Sequence, residues 1–246
     1  MPSASESFEA TNSGGQRFQP THWTVIVSAK ESRTPAANSA WENLCLTYWW
    51  PLYAFVRRRG YSEHDAQDLT QEFFVRLMTG NSLDAVDPSK GKFRSFLLAA
   101  MQHFLAKEWR RANAQKRGGG FHFISADAGV NETHYLQLPG NEKTPEQLFD
   151  QQWAMTLLER AVARLRDEFI AAGKGEQFEV TKVFLTGEKP SYAELAGRLG
   201  TTEAALKMSV SRMRHRYREL LRAEIADTVP PEEVEEELRA LIAALN

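Results

Sequence analysis

The chain has 246 residues, 42% of them hydrophobic, which is enough to bury a core and suits one or two small domains. Its 32 acidic and 30 basic residues leave a formal net charge of −2, so bulk charge does not announce a nucleic-acid partner and the distribution of charge must be read instead. Cys45 is the sole cysteine, which excludes an intramolecular disulfide and a cysteine-rich zinc site, fits a reducing cytosol and implies a cytoplasmic protein.

The N-terminus is polar and lacks the apolar region of a signal peptide, and no apolar run reaches the roughly 20 residues that span a bilayer, so no membrane partner is expected. Residues 1–20 are rich in Ser, Gly, Asn and Gln and read as a disordered tail. From Trp23 a short apolar piece leads to a helical pattern in Trp41, Leu44, Tyr48, Leu52 and Phe55. Pro51 lies inside that pattern and is expected to kink the helix or split it, because it removes one backbone hydrogen bond. Arg57, Arg58 and Arg59 followed by Gly60 close the segment as cations and glycine close a helix C-terminus.

In the next helix Ala66, Leu69, Phe73 and Leu77 share one face. Asp65, Asp68 and Glu72 follow the same steps on another face with Gln71 beside them, making an acidic stripe. The stripe admits three readings: a solvated face, a docking surface for a basic partner, or a metal site, the last lacking ligands from a second helix. Thr70 lies beside the stripe, where phosphorylation would add charge. Gly80 to Lys92, with Asp87-Pro88-Ser89-Lys90-Gly91, reads as a structured turn.

A third helix carries Phe93, Leu97, Ala100, Phe104 and Leu105, then Lys107, Arg110, Arg111, Lys116 and Arg117 against Glu108 alone, a local charge of +4. Trp109 stands among these cations, where it can stack on a base or anchor the helix to its core. His103 and Cys45 read as helix-face and core residues. Gly118, Gly119 and Gly120 mark a hinge, and the segment to Lys143 reads as a linker with a short strand at Phe121–Ile124.

The second half opens on a capping box of Thr144 and Gln147 with Pro145 at the first helical position. Trp153, Leu157, Ala161, Leu165 and Phe169 form its stripe. A polar break at Lys174–Glu176 precedes a helix through Phe178, Val183 and Phe184. Ser191 and Glu194 predict a second capping box and a short helix to Leu199; Gly200 ends it, and Thr201 or Thr202 caps the next.

Short helix, glycine turn and longer helix are the pattern of a helix-turn-helix, with a plain helical hairpin as the alternative. The longer helix buries Leu206, Val210, Met213, Tyr217 and Leu220 and is strongly basic. In a major groove its N-terminal residues meet base edges: Glu203, Ala205, Leu206, Lys207 and Ser209, with Thr202 at the cap. Ser211, Arg212 and Arg216 lie further along, where phosphates run.

Pro230-Pro231 then precedes an acidic helix striped by Val234, Leu238, Leu241 and Leu245. Glu232 to Asn246 carries a net charge of −4. This segment can shield the basic helix from DNA or complete the core of the second half. No Gly-rich phosphate loop, catalytic Ser motif or His/Cys ligand set is present, so no enzyme activity, cofactor or metal is expected.

Three segments, in order, carry a family resemblance. Asp65-Ala-Gln-Asp-Leu-Thr-Gln-Glu-Phe-Phe resembles the core-polymerase-binding motif of bacterial extracytoplasmic-function (ECF) sigma factors. Asp87-Pro-Ser-Lys-Gly-Lys-Phe-Arg-Ser-Phe-Leu resembles the start of their promoter-melting helix, and Ser191 to Lys207 resembles their region-four helix-turn-helix.

The resemblance implies an all-α protein of two small helical domains joined by a flexible linker: region two over 21–117, the linker over 118–143, region four over 144–228, and an extra acidic helix over 229–246. Asp65, Asp68, Gln71 and Glu72 would then grip the β′ clamp of core RNA polymerase. The Gly80–Lys92 loop would capture an unstacked −10 base, and the helix carrying Lys107, Trp109, Arg110 and Arg111 would hold the DNA there. Region four would dock on the β flap and read the −35 element of promoter DNA. An anti-sigma factor or a kinase would be a further partner.

Lys107 stands where many relatives carry an acid, and Met208-Ser209 where many carry serine then arginine. A stand-alone helix-turn-helix regulator is the alternative from another class, and a metal-dependent nuclease is the weakest.

Overall fold

The computed structural model describes residues 35–79, 92–115, 134–138, 142–186 and 190–245. Helix is the only regular structure among them. The N-terminal tail, the piece from Trp23, the turn over 80–91, the glycine hinge and the strand expected at Phe121–Ile124 lie outside the described residues.

Helix α1 spans Pro35–Arg58 and buries Leu44, Tyr48, Leu52 and Phe55 of the expected stripe, with Trp41 only partly buried against the core. It runs through Pro51 without being split. Thr47, four residues earlier, is the carbonyl that loses its donor there, and its hydroxyl bonds the Asn43 carbonyl at 2.8 Å. Pro51 and its neighbours Leu52 to Val56 are all buried, so packing outweighs the local penalty. Gly60 ends the segment at φ +92°, its N–H donating to the Arg57 carbonyl, a conformation that costs glycine least.

Helix α2 (Glu63–Thr79) and helix α3 (Phe93–Gln115) complete the first group. Ala66, Phe73, Leu77, Phe93, Leu97, Met101 and Phe104 are buried between them and α1.

Helix α4 spans Pro145–Ala171 behind the expected capping box, with Gln147 N–H to the Thr144 hydroxyl and Thr144 N–H to the Gln147 side chain. It lies antiparallel along α1. Asn43 accepts from Arg160, Gln152 accepts from Trp50 at 2.7 Å, and the Lys143 carbonyl accepts from Arg58, so one partner number falls as the other rises. Trp153 and Phe149 are fully buried in this seam. The two groups of helices therefore share one core. His134 stacks on Trp50 with centroids 4.2 Å apart, and Arg57 lies over the Tyr135 ring, which docks this part of the expected linker on α1.

Gly173 at φ +70° turns the chain into α5 (Gly175–Thr181), one residue inside the expected polar break, and a 3-10 turn follows over Lys182–Leu185. Helix α6 (Tyr192–Arg198) starts with the Ser191 hydroxyl accepting from the Glu194 N–H. Gly200 at φ +59° turns the chain, and Thr202, rather than Thr201, caps helix α7 (Glu203–Ala226) by accepting from the Ala205 N–H. Leu195 and Ala196 of α6 and Leu206, Val210 and Met213 of α7 are buried between them. A 3-10 turn at Pro231–Glu233 leads into α8 (Val234–Ala244), which packs Leu241 against α4 and α7.

Candidate functional site

The outer face of α2 carries the acidic stripe. The Ser62 hydroxyl accepts from the Asp65 N–H at 3.1 Å and donates to the Asp65 carboxylate at 2.7 Å, which caps the helix and places a negative charge at its positive end. His64 Nδ1 is 3.1 Å from the Asp68 carboxylate. Glu72 holds Arg76, whose other nitrogen reaches Glu108 of α3 at 2.7 Å. Asp65 and Gln71 are exposed, and Asp68 and Glu72 keep a third or more of their side chains in solvent. Val75 and Met78, each about half exposed, continue this face by helical steps. Among the described residues no three His, Cys, Asp or Glu side chains converge as a metal site.

Thr70 is fully buried, and its hydroxyl donates to the Ala66 carbonyl at 2.7 Å. The idea of tuning the stripe by phosphorylation there is corrected: the hydroxyl faces the core and no kinase can reach it in the folded chain.

At the far end of α3 the same bond that fixes Glu108 sharpens the cationic surface. Glu108 is 17% exposed and turned to Arg76, while Lys107, Arg110 and Arg111 point outward from neighbouring turns. Trp109 is 63% exposed. That decides between its two readings: it does not anchor α3 to the core but stands in solvent between cations.

On α7, Thr202, Glu203, Ala205, Lys207, Ser211, Arg212 and Arg216 are exposed and Ser209 is half-buried. Several are already engaged. Glu203 pairs with Lys207, and that hydrogen bond raises the pKa of the ammonium. Ser209 accepts from the Gln177 amide at 2.6 Å, which ties α7 to α5. Arg216 donates through two nitrogens to Glu168 of α4 and through the third to Glu219; the Glu168 bond is the main cause of its raised pKa. Arg214 is spent on the Phe184 carbonyl at 2.9 and 3.2 Å. Arg212 has no ion pair among the described residues and stays exposed.

The acidic C-terminal helix does not shield this surface. It meets α7 at Arg222, which bonds Glu235 at 2.9 Å, far from Lys207 and Arg212 along the helix. The turn before α7 brings its N-terminal residues outward, and the apolar stripe of α8 is satisfied by α4 and the last turns of α7 instead.

Sequence reasoning missed a polar node where four helices meet. Glu237, 1% exposed, bonds Arg94 and lies 3.0 Å from Lys92, and neighbouring Glu236 bonds Lys92 at 2.9 Å. Arg94 also bonds Asp150 of α4 and lies 4.8 Å from the centre of the Trp153 ring. Burial first, and then the charge of Glu237, push up the pKa of the Tyr48 hydroxyl of α1. Glu237 is one of five carboxylates in its stretch, so nothing local singles it out.

Residues 50–115, which hold the end of α1, α2 and α3, match the family model of sigma-70 region 2. Over 193 residues the chain is 26% identical to the ECF RNA polymerase sigma factor SigE of Mycolicibacterium smegmatis, an alignment covering 78% of this chain and 66% of that relative. No solved structure matches the chain significantly.

Proposed function

We propose that this chain is an ECF-type sigma factor, a subunit that binds core RNA polymerase and directs it to promoters. The observation that carries the reading is the sigma-70 region 2 match over residues 50–115, which spans both the acidic face of α2 and the cationic end of α3. The likeness to an ECF sigma factor, and α6, the Gly200 turn and α7 in the second half, support it.

In this reading Asp65, Asp68, Gln71 and Glu72 grip the polymerase clamp. Carboxylates held at fixed steps on a rigid helix suit a basic groove, and Ser62 and Arg76 fix two of them in place. Lys107, Arg110 and Arg111 hold the melted strand, and the exposed Trp109 ring offers a face on which an unstacked base lies. Thr202, Glu203, Ala205, Lys207 and Ser209 meet base edges upstream, while Ser211, Arg212 and Arg216 follow phosphates. The protein catalyses nothing itself; it supplies placement and specificity.

The test is a pull-down of the purified chain with bacterial core RNA polymerase, with Asp68→Arg as the control. Asp68 is not in the core, so the variant keeps the fold, and its reversed charge is expected to abolish binding. Equal capture of both proteins would remove the α2 face from the interface. Capture of neither, with tight binding of duplex DNA alone, would make the chain a free-standing DNA-binding regulator.

A further inference from the structure

The first turn of α8 bridges elements that stand about 140 residues apart in sequence. Its apolar side packs on α4 and α7, and Glu235 ties it to Arg222, so the helix belongs structurally to the second half. Its acidic side reaches across to the first half, where Glu236 and Glu237 bind Lys92 and Arg94 at the start of α3, with sequence separations of 144 and 143. Arg94 in turn grips Asp150 and covers Trp153, at the end of the α1–α4 seam nearest the start of α4.

We propose that α8 is an intramolecular clasp: its Glu236–Glu237 pair reinforces the closure of the two halves along the α1–α4 seam and must release Lys92 and Arg94 before the halves can separate. The inference rests on the function proposed above. A protein that contacts two separated stretches of DNA through α3 and α7 needs those helices free to move apart, whereas the α1–α4 seam fixes them to one core.

The chemistry of the contact suits release. Arg94 is 13% exposed and Glu237 1%, so removing either charge strips the other of a partner away from water. Lys92–Glu236 lies at its solvent edge, with Glu236 66% exposed, so a competing polyanion or added salt reaches that bond first. In the function proposed above the stretch of sequence before Lys92 meets DNA, so phosphates would compete with the α8 carboxylates for Lys92.

The experiment uses the full chain. Dyes are placed at Ala106→Cys and Ala204→Cys, both exposed, in a Cys45→Ser background, and transfer efficiency is measured. The clasp predicts a loss of efficiency in Glu236→Gln/Glu237→Gln and, because a buried change can disturb α8, also in Lys92→Gln, whose side chain lies at the edge. Glu232→Gln, exposed and outside the node, leaves efficiency unchanged.

Unchanged efficiency in both the double variant and Lys92→Gln, with native helix content by circular dichroism, overturns the clasp. The readout needs no polymerase. A chain that opens but never binds polymerase sinks only the function proposed above, and one that binds polymerase without any response to these substitutions sinks only the clasp.

Discussion

Trp109 and Trp153 carry the same ring to opposite extremes of exposure, 63% and 0%, and that difference sets what each does. Trp153→Ala leaves a cavity in the α1–α4 seam and removes the face beneath Arg94, so it is expected to lower stability by about 3–5 kcal/mol in urea denaturation. Trp109→Ala is expected to leave stability within about 0.5 kcal/mol while weakening binding of single-stranded promoter DNA by about 1–3 kcal/mol. A stability loss in Trp109→Ala without a binding loss would return that ring to the core. Arg212 allows an equally sharp test. It has no intramolecular ion pair among the described residues, so Arg212→Ala is expected to weaken duplex binding alike across sequences and to make the salt slope shallower by about 0.9. A loss confined to one base would make Arg212 a base reader. Arg216 is the contrast: in the proposed function DNA would have to compete with Glu168 and Glu219 for its guanidinium.

At the scale of the element, one buried carboxylate ties α4 to α7, beside the Arg216–Glu168 pair at their exposed edge. Glu224, 3% exposed, accepts from Arg160 and Arg164 at 2.7 Å each. Burial alone would raise its pKa, but the hydrogen bonds from Arg164 and Arg160 outweigh it and hold the carboxyl below its usual range. A carboxyl depressed in the folded state stabilises the fold above its unfolded pKa, about 4.3, and that stability is lost as pH falls through the lower folded value. Stability measured between pH 6 and 3 is therefore expected to fall less steeply in Glu224→Gln than in the parent chain, although the variant starts lower. Parallel curves would show that other carboxyls govern acid unfolding.

Element ends were legible because their signals are local. Thr144 with Gln147, Thr202, Gly60 and Gly200 each act within four residues, and each does in the fold what its spacing implies, while Ser191 caps its helix through the Glu194 N–H alone, half of the expected box. Pro51 was misjudged where splitting was considered, because what keeps α1 whole is burial against α2 and α4, which no local window contains.

At the scale of the whole molecule, what the sequence withheld is long-range. The α2 and α3 surfaces were readable because helical steps alone place Asp65, Asp68, Glu72, Lys107 and Arg111. That α1 and α4 pair antiparallel, that Arg76 joins Glu72 to Glu108, and that Glu237 finds Arg94 depend on which apolar stripes meet, and the stripes of α1, α4 and α8 are interchangeable by pattern.

The pairing of α1 with α4 also has a consequence for how the protein is born. Trp50 and its partner Gln152 are 102 residues apart. Synthesis at roughly 5–20 residues per second leaves about 5–20 s between their emergence from the ribosome. Through that interval Tyr48, Leu52 and Tyr53 belong to a nascent helix whose covering strip does not yet exist. The first half must therefore either tolerate an oily seam in solvent or have it held by a chaperone until α4 arrives. Chains stalled before residue 145 are expected to recruit holdases that chains stalled after α4 do not.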